Sequence, residues 1–336
     1  MSYKILPLFI PFSGCKNICL YCNQKNITGQ LGRNILNNIK EQLQYYLDKN
    51  IKWTEIAIYG GTFTGLEKLT QVNTLKYISK LFPELPIRVS TRPDSINTEC
   101  LVLLKDYNVK TIELGIQSFS EKVLTSNKRY YSEDIIIESM SSILEHSFVL
   151  GVQIMCGLFN EQVDDYIYTV DRLKKLTFNY VRIYPTIVIK DSQLEKLYLE
   201  NKYTPLTLSE AISYSAYGYI KFTASGKTVI RMGLQNSYLL EKSIVSGPYH
   251  KSFGDLVKIY VLYLYLLNVD KVYIGINDKS LIFGYSRFIH KLFNEKIIID
   301  DNCKIDWLEI CRVLNNEDNL WILKEQKNIF EKKFFN

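Results

Sequence analysis

The sequence predicts an α/β fold: a partial (β/α)6-type barrel of parallel strands, followed by a C-terminal α+β extension. Short apolar segments alternate with helix-like segments over the first two-thirds of the chain. The strand segments carry Val and Ile on both faces, as buried parallel strands do. The rhythm changes after about Pro248. A doubly wound sheet is the competing arrangement of such units.

The predicted elements follow one another in chain order. The predicted strands are Ile5–Pro11, Glu55–Tyr59, Ile87–Thr91, Thr111–Ile116, Gly151–Met155, Val181–Thr186 and Thr228–Met232. The predicted helices are Asn34–Leu47, Glu67–Leu81, Thr98–Tyr107, Ser132–His146, Asp164–Leu176 and Leu208–Ala224. Ser132 and Thr98 are predicted N-caps, because a hydroxyl there can accept a hydrogen bond from the first turn. In a barrel, chemistry lies at the carboxyl ends of the strands.

The last third of the chain predicts a different pattern. Its predicted elements are a helix at Asp255–Leu267, a strand at Lys271–Ile276, an aromatic-rich stretch at Leu281–Phe293, a strand at Lys296–Ile299 and a helix at Trp307–Leu314. We therefore expect two parts, a barrel over residues 1–247 and an extension over residues 248–336 that packs on it.

Composition places the chain among ordinary globular proteins. It has 336 residues, is 47% hydrophobic and 23% charged, and contains 16 Gly and 8 Pro, which excludes disordered, collagen-like and small disulfide-rich proteins. A chain of this length can bury a full core without a structural metal, so a metal would serve chemistry. The net charge of +6 permits an anionic ligand without requiring nucleic acid.

The chain also lacks the usual signals for export or membrane insertion. Pro7 and Pro11 interrupt the N-terminal apolar run, so it does not resemble a signal peptide, and Ile259–Leu267 is too short to span a bilayer. We expect a cytoplasmic protein with no membrane partner. In that reducing compartment its seven cysteines should be thiols, metal ligands or reactive groups.

Three of the cysteines lie close together directly after the first predicted strand. Cys15, Cys19 and Cys22 have C-x3-C-x2-C spacing, and thiolates that converge on one centre bind an iron–sulfur cluster, zinc or copper. A four-iron cluster usually has four cysteine ligands, so three would leave one iron open for a ligand, as a catalytic zinc site leaves an open position. Zinc is the alternative, but it needs a fourth ligand and the nearest histidine is His146.

This stretch resembles the radical S-adenosylmethionine (SAM) superfamily. The flanking sequence resembles the branch containing the Elongator catalytic subunit and, more distantly, oxygen-independent coproporphyrinogen oxidase. The segments that carry this resemblance are Ile10-Pro-Phe-Ser-Gly-Cys and Cys22-Asn-Gln-Lys-Asn-Ile-Thr-Gly. The resemblance covers roughly residues 3–257. It implies a TIM-like barrel whose three cysteines and Tyr21 surround a 4Fe-4S cluster, with SAM chelating the fourth iron. One-electron reduction, from a donor such as flavodoxin or ferredoxin, then cleaves SAM to a 5′-deoxyadenosyl radical.

Two further strand ends carry candidate SAM-binding residues. Paired glycines, as in Gly60-Gly61-Thr62, let a ligand approach the backbone, although alone they could form a plain turn. The resemblance implies the Gly-Gly-Glu motif that contacts the SAM amino group, with Thr62 in place of Glu. After the third strand, Arg92 and Asp94 could position a ligand carboxylate or ribose, or form an ion pair that stabilises a turn.

The fourth and fifth strands complete the predicted SAM pocket. The resemblance to coproporphyrinogen oxidase implies that Gln117 holds the SAM ribose and Arg129 its carboxylate. Guanidinium–carboxylate chemistry independently suits such a role. Ile154 is implied to contact the adenine, although most residues of its strand are expected in the core.

The substrate side is predicted from the later strands. Buried arginines need a partner or an anionic ligand, so we predict that Arg182, Tyr184, Arg231 and Gln235 face the substrate; structural ion pairing is the alternative. His250 is a candidate proton carrier, although a surface histidine is the commoner outcome.

The identity of the substrate stays open. Elongator catalytic subunits carboxymethylate wobble uridine in tRNA from acetyl-CoA, using an N-terminal tRNA-binding region and a C-terminal acetyltransferase domain. We see neither pattern here and do not carry that activity over, but RNA remains a candidate. Two other hypotheses are an iron–sulfur electron-transfer or sensing module without SAM cleavage, and an RNA-binding protein with a structural metal.

Overall fold

The computed structural model describes residues 4–10, 12–23, 35–47, 49, 51–275, 278–300 and 302–315. Parts of the sequence motifs and predicted elements, namely Pro11, residues 24–34, Ile276 and residues 316–336, lie outside these ranges. Everything below concerns the described residues.

Seven parallel strands form one curled half-barrel sheet. They are β1 (Ile5–Phe9), β2 (Glu55–Tyr59), β3 (Ile87–Thr91), β4 (Val109–Gln117), β5 (Val149–Cys156), β6 (Tyr180–Pro185) and, after the short β7 (Val188–Ile189), β8 (Thr228–Met232). The sheet order is β1-β2-β3-β4-β5-β6-β8. β7 pairs antiparallel with β9 (Ile244–Ser246), and β10 (Val272–Ile274) pairs parallel with β11 (Ile297–Ile299).

Helices follow most of the strands and cover the outside of the sheet. They are α1 (Ile35–Leu47), α2 (Lys68–Leu81), α3 (Thr98–Asp106), α4 (Glu121–Ser126), α5 (Glu133–Glu145), α6 (Val163–Leu173), α7 (Gln193–Leu199), α8 (Leu208–Ala224), α9 (Tyr238–Ser243), α10 (Phe253–Asn268), α11 (Lys279–Phe283), α12 (Phe288–Phe293) and α13 (Trp307–Leu314).

The predicted α/β partial barrel is confirmed, with details that differ. The first strand ends at Phe9 rather than Pro11, and the sequence did not indicate α4, α7 and α9. The prediction of Thr98 as an N-cap is wrong: Asn97 caps α3, with its Oδ1 accepting from the Cys100 N–H at 2.8 Å. Ser132 does cap α5, since its hydroxyl accepts from the Ile135 N–H at 3.4 Å.

Two hydrophobic cores meet at one helix. The larger core lies between the sheet and its surrounding helices, and a second core joins α8, α10 and the elements that follow. Tyr214 and Phe222 of α8 belong to the first core, and Ile212 and Ile220 to the second. The extension therefore packs on the barrel through α8; the boundary at residues 247/248 stays a prediction. No helix in the described ranges is both long and apolar enough to cross a membrane.

Candidate active site

A cavity of about 350 Å³ opens at the carboxyl ends of the sheet strands. The last residues of the first four strands border it, namely Phe9, Tyr59, Thr91 and Gln117. The loop that follows β1 forms one wall, because it leaves the strand at the same end of the sheet. The position agrees with the location of chemistry in β/α barrels.

All three clustered cysteines border this cavity. The loop turns between them, since the Cys22 N–H donates to the Cys19 carbonyl at 3.1 Å. The Cys15 Sγ lies 3.2 Å from the Thr62 Oγ1, and the Cys19 Sγ lies 3.2 Å from the Arg129 Nη1. Burial raises the pKa of the Cys15 thiol, and the contact with Thr62 partly opposes that rise.

The donor set suits a cluster better than a single ion. Among the residues that the structure describes, no group of three or more His, Cys, Asp or Glu side chains could hold one metal ion. In a four-iron cluster each cysteine binds a different iron, so three thiols around one cavity need not converge on one point. Two of these thiols also touch a hydrogen-bonding side chain, which suits sulfur that carries negative charge.

Glycines fit the cysteine loop against the end of β2. A Cβ at Gly61 would lie 2.4 Å from the Ser13 carbonyl oxygen, and one at Gly14 would lie 2.1 Å from the Thr62 carbonyl oxygen. The Thr62 N–H donates to the Ser13 carbonyl at 2.9 Å. The loop and the Gly-Gly-Thr turn thus approach so closely that neither glycine position accommodates a side chain without a shift.

A strand irregularity presents Gln117 to the cavity. The register between β4 and β5 shifts between Gly115 and Gln117, and Gln117 has a φ of +70°, which is costly for a residue with a side chain and is often found at functional sites. The Gln153 Nε2 donates to the Gln117 Oε1 at 3.2 Å. This bond orients the Gln117 amide toward the cavity.

Arg129 is a buried cation beside the cysteine loop, only 4% exposed. Its Nε donates to the Tyr131 hydroxyl at 2.6 Å, and its Nη1 donates to the Cys19 Sγ and, at 3.4 Å, to the Tyr21 hydroxyl. Its Nη2 donates to the Gly115 carbonyl. Burial lowers the pKa of Arg129, but the surrounding phenols and the Cys19 thiol outweigh it, so the pKa lies well above its ordinary value.

This guanidinium has no carboxylate partner among the described residues. The described ion pairs of arginine involve Arg88, Arg92, Arg172 and Arg182. A buried charge without a counter-ion is costly, so the position favours an anion in the cavity, a thiolate at Cys19, or both.

Arg92 forms the ion pair that the sequence left as an alternative. Its Nε and Nη2 lie 2.9 and 3.1 Å from the two carboxylate oxygens of Asp94, and its Nη1 donates to the Asn17 carbonyl at 3.3 Å. Arg92 also borders the cavity. It therefore connects the end of β3 to the cysteine loop while remaining next to any bound ligand.

A buried ionic network lies inside the barrel. It includes the ion pair that the sequence left as the alternative for Arg182, and it adds Arg88, Glu55 and Glu113, which the sequence reasoning missed. Arg88 and Arg182 both reach the Glu113 Oε1 at 2.6 Å, the Tyr180 hydroxyl donates to the same oxygen at 2.9 Å, and Arg88 also pairs with Glu55 at 2.8 Å. Two arginines and two glutamates balance in charge. The signal was present, because Arg88 and Glu113 are charges within otherwise apolar strands, where buried ions need partners.

The structure separates the predicted substrate-side residues into two groups. Tyr184 and Gln235 border the cavity, as does Arg182, whose ion pair with Glu113 leaves its Nε without a hydrogen-bond partner among the described residues. Arg231 does not border the cavity; its Nε donates to the Gly233 carbonyl at 3.3 Å.

His250 is also outside the set of residues that border the cavity. Its Nδ1 accepts from the Ser252 N–H at 3.1 Å. Burial lowers the pKa of His250, and the nearby Asp255 partly opposes this change. This contact holds the ring in the turn before α10, and the proton-carrier role of His250 stays a prediction.

The Ile154 side chain lies away from the cavity, and the predicted contact of this residue with adenine stays a prediction. Ile154 is fully buried in the main core, whereas its neighbours Gln153 and Met155 border the cavity. Successive side chains of a strand point to opposite faces, so Ile154 points toward the surrounding helices. An apolar wall that the sequence did not indicate lies nearby, formed by Ile187, Ile189 and Leu234.

A loop of three thiols at the mouth of a parallel half-barrel defines a class of iron–sulfur enzymes, and comparison with known families gives the family. The model of the radical SAM superfamily matches residues 9–179, and that of the Radical_SAM C-terminal domain matches residues 178–262. The chain belongs to the radical SAM superfamily. It is an enzyme of this family, whose members bind a 4Fe-4S cluster and SAM.

Individual relatives are more distant. An uncharacterized protein of Methanocaldococcus jannaschii is 28% identical over 181 residues, covering 52% of this chain and 56% of that protein. A tRNA-2-methylthio-N(6)-dimethylallyladenosine synthase of Azobacteroides pseudotrichonymphae is 26% identical over 176 residues, covering 49% and 39%. The chain therefore spans about half of the first relative and less of the second.

A solved structure supports the fold. The archaeal Elp3 of Methanocaldococcus infernus, with its N-terminus deleted, superimposes with a TM-score of 0.61 at 18% identity, over 78% of this chain and 63% of that one. At this identity the likeness shows the fold alone, and it agrees with the Elongator-like barrel that the motifs indicated.

Proposed function

We propose that this protein reductively cleaves SAM to a 5′-deoxyadenosyl radical, which then acts on a substrate held in the same cavity. The observation that carries the proposal is the position of Arg129, a buried cation with no carboxylate partner among the described residues, against the Cys19 thiol. The cavity thereby offers sulfur ligands and an unpaired positive charge side by side. A bound cluster with SAM would supply both the electron path and the anionic carboxylate that this arrangement suits.

The residues around the cavity support an assignment of roles. We assign Cys15, Cys19 and Cys22 to the cluster, with Tyr21 of the same loop beside it. Arg129 would receive the SAM carboxylate on the fifth guanidinium hydrogen, since its hydrogen bonds to the described residues use four.

Further residues would position the rest of SAM. The Gln117 amide, held by Gln153, would bind the ribose. Gly60 borders the cavity, so its backbone can meet the amino group. Arg92, already paired with Asp94, would act through its remaining donor capacity.

The opposite wall has the character of a substrate pocket. Met155, Tyr184, Ile187 and Leu234 present mainly apolar surface there, which excludes water from a reactive radical. Arg182 also borders the cavity, and its Nε has no hydrogen-bond partner among the described residues. We propose that the substrate lies against this wall.

The partners and setting follow from the same chemistry. A low-potential one-electron donor, such as a flavodoxin or ferredoxin, would reduce the cluster. The free cysteines suit a reducing compartment such as the cytoplasm. RNA is a candidate substrate class, which the net charge of +6 permits and the tRNA-directed name of one relative favours.

The proposal also keeps the division of the chain into a barrel over residues 1–247 and an extension over residues 248–336.

Reconstitution tests the proposal directly. Protein loaded anaerobically with iron and sulfide, then given SAM and dithionite, should release 5′-deoxyadenosine, and Cys19→Ala should reduce that release at least tenfold because one iron loses its ligand. The matched control is Cys303→Ala, which removes a half-buried thiol of the extension and should leave iron content and cleavage unchanged.

Two outcomes would contradict the proposal in different ways. A complete cluster that cleaves no SAM would favour an electron-transfer or sensing module. Protein purified without oxygen that contains zinc and no iron would favour a structural metal.

A further inference from the structure

The side chain of Thr62 is buried against a cluster cysteine. Thr62 is 1% exposed, and its hydroxyl lies 3.2 Å from the Cys15 Sγ. Among the described residues, this contact with Cys15 is the one hydrogen bond of the Thr62 hydroxyl. The Thr62 side chain therefore faces sulfur, at the position where the superfamily motif has Glu.

The backbone fixes the hydroxyl in place. The Thr62 N–H donates to the Ser13 carbonyl at 2.9 Å, and the Thr62 carbonyl accepts from the Gly65 N–H at 2.9 Å. The methyl group lies beside Gly65, because a Cβ built on that glycine would lie 3.1 Å from the Thr62 Cγ2. With both peptide groups of Thr62 held and its methyl beside Gly65, the hydroxyl points at Cys15.

The chemistry of a cluster ligand decides the direction of this hydrogen bond. A thiol and a hydroxyl can each donate, but a cysteine bound to iron is a thiolate and can only accept. The Thr62 hydroxyl must then donate to the Cys15 sulfur. A hydrogen bond to a ligand sulfur stabilises the more negative, reduced form of the cluster more than the oxidised form, and such bonds help set cluster potentials.

We propose that Thr62 is a positioning residue whose hydroxyl donates to the Cys15 thiolate and raises the reduction potential of the cluster. This inference rests on the proposed function, because it requires a cluster on the three cysteines. It gives Thr62 a role toward the cluster rather than toward SAM.

The test is the midpoint potential of the cluster in Thr62→Val, which replaces the hydroxyl by a methyl of similar size. The potential is measured without SAM, by dithionite titration followed by electron paramagnetic resonance of the reduced cluster. We expect the ratio of reduced to oxidised cluster at a fixed potential to fall about tenfold, a shift of about 59 mV to lower potential for a one-electron couple. Thr62→Ser keeps the hydroxyl and should stay near the wild-type potential.

The outcomes separate this inference from the proposed function. If wild-type protein holds no iron–sulfur cluster, the proposed function fails. If the cluster forms with equal iron and sulfide in all three proteins but Thr62→Val has the wild-type potential, or Thr62→Ser shifts as far as Thr62→Val, the inference is wrong. If Thr62→Val does not bind a cluster, Thr62→Ala takes its place, because it adds no methyl group beside the sulfur. Its midpoint potential is then compared with those of wild type and Thr62→Ser.

Discussion

A single methyl group at position 61 would separate the cysteine loop from β2. Its carbon would lie 2.4 Å from the Ser13 carbonyl oxygen and 2.6 Å from the Ile10 carbonyl oxygen, and both are backbone atoms that cannot rotate away. We expect Gly61→Ala to displace the loop and to reduce iron bound per chain at least severalfold after reconstitution. Iron and sulfide analysis measures the effect.

The control for this change is Gly226→Ala. A Cβ at Gly226 meets nothing within 4 Å, although its φ is +74°, so that variant should lose about 1 kcal/mol of stability from backbone strain and keep its iron. Full iron content in Gly61→Ala would show that the loop does not depend on this close approach.

At the residue scale, local sequence indicates the candidate ligands but not their surroundings. Three thiols within eight residues indicate a metal site by spacing alone. The contact between Arg129 and Cys19 joins residues 110 positions apart, which no local pattern encodes. The orientation of the Ile154 side chain had a readable signal, because Gln153 is the polar residue of an apolar strand and marks the face toward the cavity.

At the scale of elements, the turn after β5 depends on a buried carboxyl group. The Glu161 Oε2 accepts from the Gly157 N–H at 2.6 Å and from the Leu158 N–H at 3.3 Å. Burial raises the pKa of Glu161 to about 8, although both backbone bonds lower it. The Oε1 atom is buried without a hydrogen-bond partner among the described residues, so in the neutral carboxyl group the proton is carried by Oε1.

This raised pKa predicts a pH-dependent stability. The folded state holds the Glu161 proton more tightly than the unfolded state, whose ordinary pKa is 4.5. The stabilisation is complete below that value and is lost as pH rises through about 8. We expect the free energy of unfolding, from urea titrations between pH 5 and pH 9, to fall over this range by an amount on the order of a few kcal/mol.

The variant Glu161→Gln isolates this contribution, because an amide keeps the shape and cannot ionise. Its difference in stability from wild type should change with pH over the same window. Glu84→Gln, at an exposed position, should give a constant difference. A constant difference for Glu161→Gln as well would mean that the carboxyl does not titrate in this range.

Element prediction failed where tertiary contacts decide. The sequence did not indicate α4, α7 and α9, which have six or seven residues and so fewer than two turns in which a 3.6-residue pattern can repeat. Thr98 and Asn97 both suit an N-cap by composition. Only the backbone shows that the helix begins at Thr98, which makes Asn97 the cap.

At the scale of the whole molecule, α8 connects the barrel to the extension. Thirteen of its 17 residues are buried, as expected for a helix covered on most of its surface. The change of rhythm near Pro248 predicted the extension, but not that α8 supplies part of its core. A helix that is apolar on most sides does not reveal from its own pattern which neighbour covers which side.

A shared helix predicts that the two cores unfold together. Trp53 packs against the barrel core and Trp307 against the extension core, where it contacts Tyr219 of α8 at 6.0 Å between ring centres. Two reporter proteins, each keeping one of these tryptophans and carrying Phe at the other and at Trp321, should have the same urea midpoint by fluorescence. Different midpoints would show that the extension is an independent unit.

The substitution Leu262→Ala, made in both reporter proteins, tests whether destabilising the extension core also destabilises the barrel core. Leu262 is fully buried in the extension core, and its truncation should lower the free energy of unfolding by about 2–5 kcal/mol. Because α8 belongs to both cores, the midpoints reported by Trp53 and by Trp307 should fall together. Leu267→Ala, on the same helix but 43% exposed, should change the free energy of unfolding by about 0.5 kcal/mol or less and so leave both midpoints nearly unchanged. If Leu262→Ala moves only the Trp307 midpoint, α8 does not transmit stability between the cores, and the boundary at residues 247/248 separates two units that fold on their own.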